Sequence, residues 1–211
     1  MKSTTRAIEL PGLAALAAVV RDAAHLPGLL VYVADELGDN ATAETRSCGS
    51  VLRVGIGADL LEERRSAALL GSVAHEVAHH ALGHLTGLLV PALERVAVWS
   101  YTVAVVAAVV APVPRWVTPV LLVVALSAYL VARWWRRAAE YAADRHAVSL
   151  LDGLGLPGRQ VVTAMLREDL EVEPAWYAVV GRLAGSHPPA ISRLHRIAAV
   201  PVFADRPQEV T

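Results

Sequence analysis

The spacing of apolar and polar residues divides the chain into helical, strand-like and uniformly apolar stretches. Residues 12 to 25 carry apolar side chains at helical spacing and stop before Leu26-Pro27-Gly28, which predicts a short amphipathic helix. Leu29 to Ala34 (LLVYVA) is rich in β-formers and reads as a strand. Asp35 to Asn40 is a turn region. Ala41 to Arg46 and Val51 to Ile56 read as two further strands joined around Ser47-Cys48-Gly49-Ser50. Asp59 to His84 is a long helical stretch, running from DLLEERRSAALL into GSVAHEVAHHALGH. Later, helical spacing returns over Arg136 to about Leu151 and from the Leu156-Pro157-Gly158 turn to about Asp169. Two more helices follow, from about Pro174 to Ala184 and from Ala190 to Ala199.

Between these groups lie two stretches without a charge, Val96 to Pro114 and Trp116 to Ala132. A helix needs about 20 residues, and no fewer than about 17, to cross a ~30 Å hydrocarbon layer, so each is long enough. Trp99, Tyr101, Trp116, Trp134 and Trp135 cluster near their ends, where aromatic belts sit. The other reading, two helices buried in a soluble core, asks a small domain to enclose both on every side. A transmembrane hairpin over residues 95–134 is therefore expected, with spans near 96–114 and 116–133. Arg95, Arg133, Arg136 and Arg137 flank its outer ends, and the loop holds only Arg115. The positive-inside rule puts both outer ends, and the rest of the chain with them, in the cytoplasm. Richness in Arg and Ala suggests a bacterial chain, hence a plasma membrane. Lys2 and Arg6 precede a short apolar run, but Arg21 and Asp22 follow it at once, so an amphipathic helix is expected there rather than a signal peptide.

Composition agrees. Hydrophobic residues make up 55% and charged residues 18% of the chain, against about 25% charged in ordinary soluble domains. A net charge of -1 gives no basic excess and argues against a nucleic-acid partner. Cys48 is the only cysteine, which excludes an intrachain disulfide and a cysteine-based zinc site.

The chemistry lies in His75-Glu76-Val77-Ala78-His79. At i and i+4 on a helix, His75 and His79 share a face and can bind one Zn2+ ion. Glu76 is rotated by about 100°, so it can reach a water beside the ion and accept its proton. A catalytic zinc needs a third protein ligand and an open position. Glu140 is the candidate. Glu140 and Asp144 are again i and i+4, so one can ligate while the other hydrogen-bonds a ligating imidazole. His80, His84 and His146 are nearby histidines expected to be structural, with His84 on a different face from His79.

The HEVAH helix, an apolar hairpin and the downstream Glu140-Tyr141-Ala142-Ala143-Asp144, in that order, resemble the HtpX-like and CAAX prenyl endopeptidase family of membrane gluzincins. Ser186-His187-Pro188-Pro189 with Arg193 looks like that family's C-terminal S/T-H-P-P…R segment. Asn40-Ala41-Thr42-Ala43 resembles its N-A-x-A strand. The resemblance covers roughly residues 15 to 198. It implies His75, His79 and Glu140 as zinc ligands, Glu76 as general base and Asp144 as the group that orients a ligand histidine. It further implies His187 beside the scissile carbonyl as oxyanion stabiliser, and Arg193 as a tie between that loop and the carboxylates. Asn40, Ala41, Thr42 and Ala43 would form the edge on which an extended substrate adds as a strand. HtpX-type members carry two further membrane helices ahead of the protease domain, and none is evident in this sequence.

The expected fold is mainly α with a small three-stranded sheet beside the HExxH helix, a zincin-like domain interrupted by the hairpin. Residues 1–94 would form its first half and 135–211 its second. The expected function is zinc-dependent endoproteolysis of membrane or misfolded proteins, with protein or peptide substrate and membrane lipid as partners. The alternatives are an inactive zinc-binding membrane regulator or scaffold, for which Glu76 would have no use, and a hairpin protein with a coincidental motif.

Overall fold

The computed structural model describes residues 11–38, 41–46, 51–58, 66–85, 88–110, 114–177, 181 and 187–199. The order of elements is α1 (Pro11–Ala23), β1 (Leu30–Ala34), a 3-10 turn (Asp35–Leu37), β2 (Ala41–Arg46), β3 (Val51–Gly57), α2 (Ser66–Ala81), α3 (Leu89–Val110), α4 (Val117–Gly153), α5 (Gly158–Val172) and α6 (Ala190–Ala199). The three strands and the N-terminal helix lie where the apolar pattern predicts them. Most of the helix expected over residues 174–184 lies outside the described residues, as do Asn40 and Ser186.

Helix α2 is the centre of the molecule. Its sequence is apolar nearly all round, and Val73, Ala74, Val77 and Ala78 are fully buried, as expected of a helix enclosed by neighbours. Those neighbours are α1, the sheet, α4 and α5. The sheet has the order β1-β3-β2, with β1 parallel and β2 antiparallel to the central β3. Alternation along β3 turns Val54 and Ile56 into the core, while the ring of Tyr32 and the side chain of Leu37 lie against Gly55. Helix α5 contributes Val161, Val162, Met165 and Leu166, and α6 contributes Ile197. Gly71 lets α2 and α5 approach closely: a Cβ there would stand 2.8 Å from Met165 Cβ and 3.0 Å from the Val161 carbonyl oxygen.

Helices α3 and α4 are both long and apolar enough to cross a membrane. They begin with Pro91 and Pro119 in their first turns, where a missing N–H breaks no helical bond. The 22 residues of α3 extend ~33 Å. Their packing inverts that of a soluble helix pair. Small residues, Ala97, Ala104 and Ala107 on α3 and Ala125, Ala128 and Ala132 on α4, are buried. The large ones point outward, Trp99, Val109 and Val123 each being more than 60% exposed. Small residues inside and large apolar ones outside is the arrangement by which helices approach each other in lipid.

One expectation is corrected. The second apolar stretch and the helix expected from Arg136 are a single helix of 37 residues. The cluster Arg133-Trp134-Trp135-Arg136-Arg137 marks a change of hydropathy and not of backbone, because between Pro119 and Gly153 the sequence holds neither glycine nor proline. Near this cluster Arg136 pairs with Glu94 of α3 at 2.6 Å and ties the two helices together.

Candidate metal centre

The HExxH residues lie on the last two turns of α2, and Glu140 and Asp144 project from the middle of α4 packed beside it. His75 and His79 bring their Nε2 atoms to 3.2 Å from each other. Glu140 Oε2 lies 3.3 Å from His75 Nε2, and Glu140 Oε1 lies 3.5 Å from His79 Nε2. All three side chains are buried, and one donor atom from each falls within 4.8 Å of the others. Despite that proximity Glu140 Oε2 is buried without a hydrogen-bond partner. Two ring nitrogens and an orphaned carboxylate oxygen aimed at one point fit a cation, since an unsatisfied buried oxygen is otherwise costly.

The far side of each histidine is also held. His75 Nδ1 lies 3.0 Å from Asp144 Oδ1. Asp144, 1% exposed, is gripped by Arg193 of α6, whose Nε donates to Oδ2 at 2.8 Å while Nη2 donates to Oδ1. Burial works against the Asp144 carboxylate, but those hydrogen bonds hold its pKa down at about 2. The two imidazoles are too close for both to be positively charged. Burial and Arg193 oppose charge on His75, but its contact with the Asp144 carboxylate and the nearby Glu140 carboxylate outweigh them and raise its pKa to about 10. Burial and the charge on His75 lower that of His79 to about 3. Burial would raise Glu140, yet His187 and His75 together hold it well below the usual carboxylate range.

These groups line one wall of a cleft of about 880 Å³. Glu76 faces into it, half-buried. Burial pushes its carboxyl up to about 7, against the pull of His75 and with the help of Glu140. Ala41, Thr42 and Ala43 of β2, an edge strand of the sheet, line the cleft from another side. His187 stands at the rim, 63% exposed, with Nδ1 3.0 Å from Glu140 Oε1. The base of the hairpin adds an apolar wall that includes Leu89, Pro91 and Trp135.

Three contributors are new. Tyr177 donates its hydroxyl to the His187 carbonyl at 3.0 Å. Glu173 accepts the backbone N–H of Ala190 at 3.3 Å and so holds the start of α6. Both act across ten or more residues of chain and leave no local signal. The third is His84, which the helical wheel assigns to another face. It lies with Nδ1 3.1 Å from His79 Nδ1, because α2 has already ended. Gly83 adopts a left-handed φ of 67°, and the bonds His84 N–H to His79 O and Gly83 N–H to His80 O form a Schellman turn that folds the chain back. A glycine just past the motif was the signal. His80 faces the sheet instead, its Nε2 2.7 Å from the Arg53 carbonyl oxygen.

The sequence model of peptidase family M48 matches residues 13–200, and no curated protein and no solved structure gives a match. That match takes in the helix bearing His75 and His79, the helix bearing Glu140, the hairpin between them and the segment ending in Arg193, so the chain belongs to peptidase family M48.

Proposed function

We propose that the protein is a membrane-anchored zinc endopeptidase that cleaves membrane or misfolded proteins near the cytoplasmic face. The observation that carries the reading is the convergence of His75 Nε2, His79 Nε2 and the orphaned Glu140 Oε2 in an open cleft. Two imidazoles and one carboxylate form the donor set of a catalytic zinc, with a fourth position left for water or substrate. When bound, the ion polarises the scissile carbonyl and makes the attacking water more acidic.

The remaining roles fall to side chains. Glu76 accepts the proton of that water as its oxygen bonds to the carbonyl carbon. It then delivers the proton to the amine nitrogen as the C–N bond breaks. A carboxyl pushed up to about 7 suits both halves of that task near neutral pH. Asp144, anchored by Arg193, holds the His75 ring, and His187, at the rim beside Glu140, would donate to the carbonyl oxygen of a bound substrate. An extended peptide laid along edge strand β2 would present its backbone to the centre. The apolar exteriors of α3 and of α4 as far as Ala132 anchor the domain in lipid, with the Arg133 to Arg137 cluster at the cytoplasmic surface.

The test compares wild type with Glu76→Gln, both purified in detergent and assayed for bound zinc, on an unfolded protein substrate. Wild type is expected to cleave. The variant should keep its zinc and turn over about 10²- to 10⁴-fold more slowly. Zinc in both with cleavage in neither would move the protein to the regulator reading, and zinc in neither would end the metal-centre reading.

A further inference from the structure

The two histidines of the centre are treated alike at one nitrogen and differently at the other. Both turn Nε2 toward Glu140. Behind His75, Nδ1 meets a buried carboxylate, Asp144, at 3.0 Å. Behind His79, Nδ1 meets another imidazole, Nδ1 of His84, at 3.1 Å. A histidine that ligates through Nε2 carries its proton on Nδ1 and needs an acceptor there to fix its ring.

We propose that His84 is the positioning residue of His79: its Nδ1 accepts the His79 Nδ1–H and locks that ring with Nε2 toward Glu140. The inference rests on the metal-centre reading above. His84 then carries its own proton on Nε2. The backbone prepares the contact, because the Schellman turn at Gly83 ends α2 and returns residue 84 beside residue 79. On an uninterrupted helix, residues five apart are separated by about 140° around the axis and could not meet in this way. The rings stand edge to face at 66°, with centroids 5.2 Å apart. His75 is thus backed by an anion and His79 by a neutral acceptor.

The full chain in detergent is compared as wild type, His84→Leu and His84→Asn. Zinc affinity is read by competition with a chelator, and melting temperature is read without metal. The leucine variant should bind zinc about 10- to 100-fold more weakly. The asparagine variant, whose Oδ1 sits close to where Nδ1 was, should recover most of the loss, and the metal-free melting temperatures should agree. A leucine variant that binds as tightly as wild type overturns the proposal, as does an asparagine variant as weak as the leucine one. A second zinc equivalent lost with His84 also overturns it, since the facing Nδ1 atoms would then be ligands themselves. Should the leucine variant melt early without metal, the His79 Nδ1 proton of zinc-loaded wild type decides: a slowly exchanging, hydrogen-bonded resonance supports the contact, and a freely exchanging one refutes it. Wild type that takes up no zinc would remove the metal-centre reading itself.

Discussion

Replacing Arg193 by Met tests whether the support behind the centre also holds the fold together. Arg193 is 7% exposed and makes two hydrogen bonds to Asp144, which is 1% exposed. Methionine fills similar space without charge, so the change leaves Asp144 as a buried anion with His75 as its remaining charged partner. Breaking a buried ion pair from one side costs about 3–5 kcal/mol. Because His75 remains 3.0 Å away as a donor, the lower end, about 3 kcal/mol, is expected. In a chain of this size that corresponds to a fall in melting temperature of about 6 to 12 °C. Asp144→Asn should destabilise as well, by leaving the guanidinium unpaired. The double variant Arg193→Met/Asp144→Asn should lose less than the sum of the two singles, by at least about 1 kcal/mol, because the two groups interact directly. Melting of the four metal-free proteins in one detergent is the assay. A drop below about 3 °C for Arg193→Met, or strict additivity in the double variant, would refute the reasoning.

Two further outcomes follow from the same contacts. At about pH 8.5, where Glu76 at about 7 is already ionised and His75 at about 10 is still protonated, zinc must displace the His75 proton. About one proton should leave per ion, and affinity should rise with pH until about 10 and then level off; calorimetry in two buffers of different ionisation heat measures the release, and none would contradict the assignment. Gly71→Ala should lower stability by about 1–3 kcal/mol through overpacking against α5, read as an earlier melt. Gly28→Ala, whose Cβ would meet nothing within 4 Å, serves as the neutral control.

The elements and the candidate donor residues are legible because their causes are local. A strand is recorded in β-rich runs such as LLVYVA, and an apolar helix in the length of its uncharged run. Two histidines four apart on a helix must share a face, whatever surrounds them. The same locality explains the misreadings. The change of hydropathy at Arg133 divides the second apolar stretch from the Glu140 helix in the sequence pattern, yet a helix is broken by glycine, proline or lost hydrogen bonds and not by charge. The fused α4 means that Glu140 is carried on the same continuous helix as the second apolar segment. A helical wheel continued past Ala81 misplaces His84, because the helix ends there and the backbone reverses at Gly83.

What the sequence determined by itself is the inventory: an HExxH helix, a second carboxylate pair at helical spacing, three short strands and two uncharged helices, each set by interactions within a few residues. What only the tertiary structure decided is who meets whom. Asp144 meets Arg193 across 49 residues, and His187 meets Glu140 across 47. Tyr177 meets the carbonyl of His187. Such pairs form because α6 packs against α4 and α5, which themselves pack against a buried α2, and the position at which packed helices come to rest depends on the shape of every residue between them. No local pattern encodes that sum.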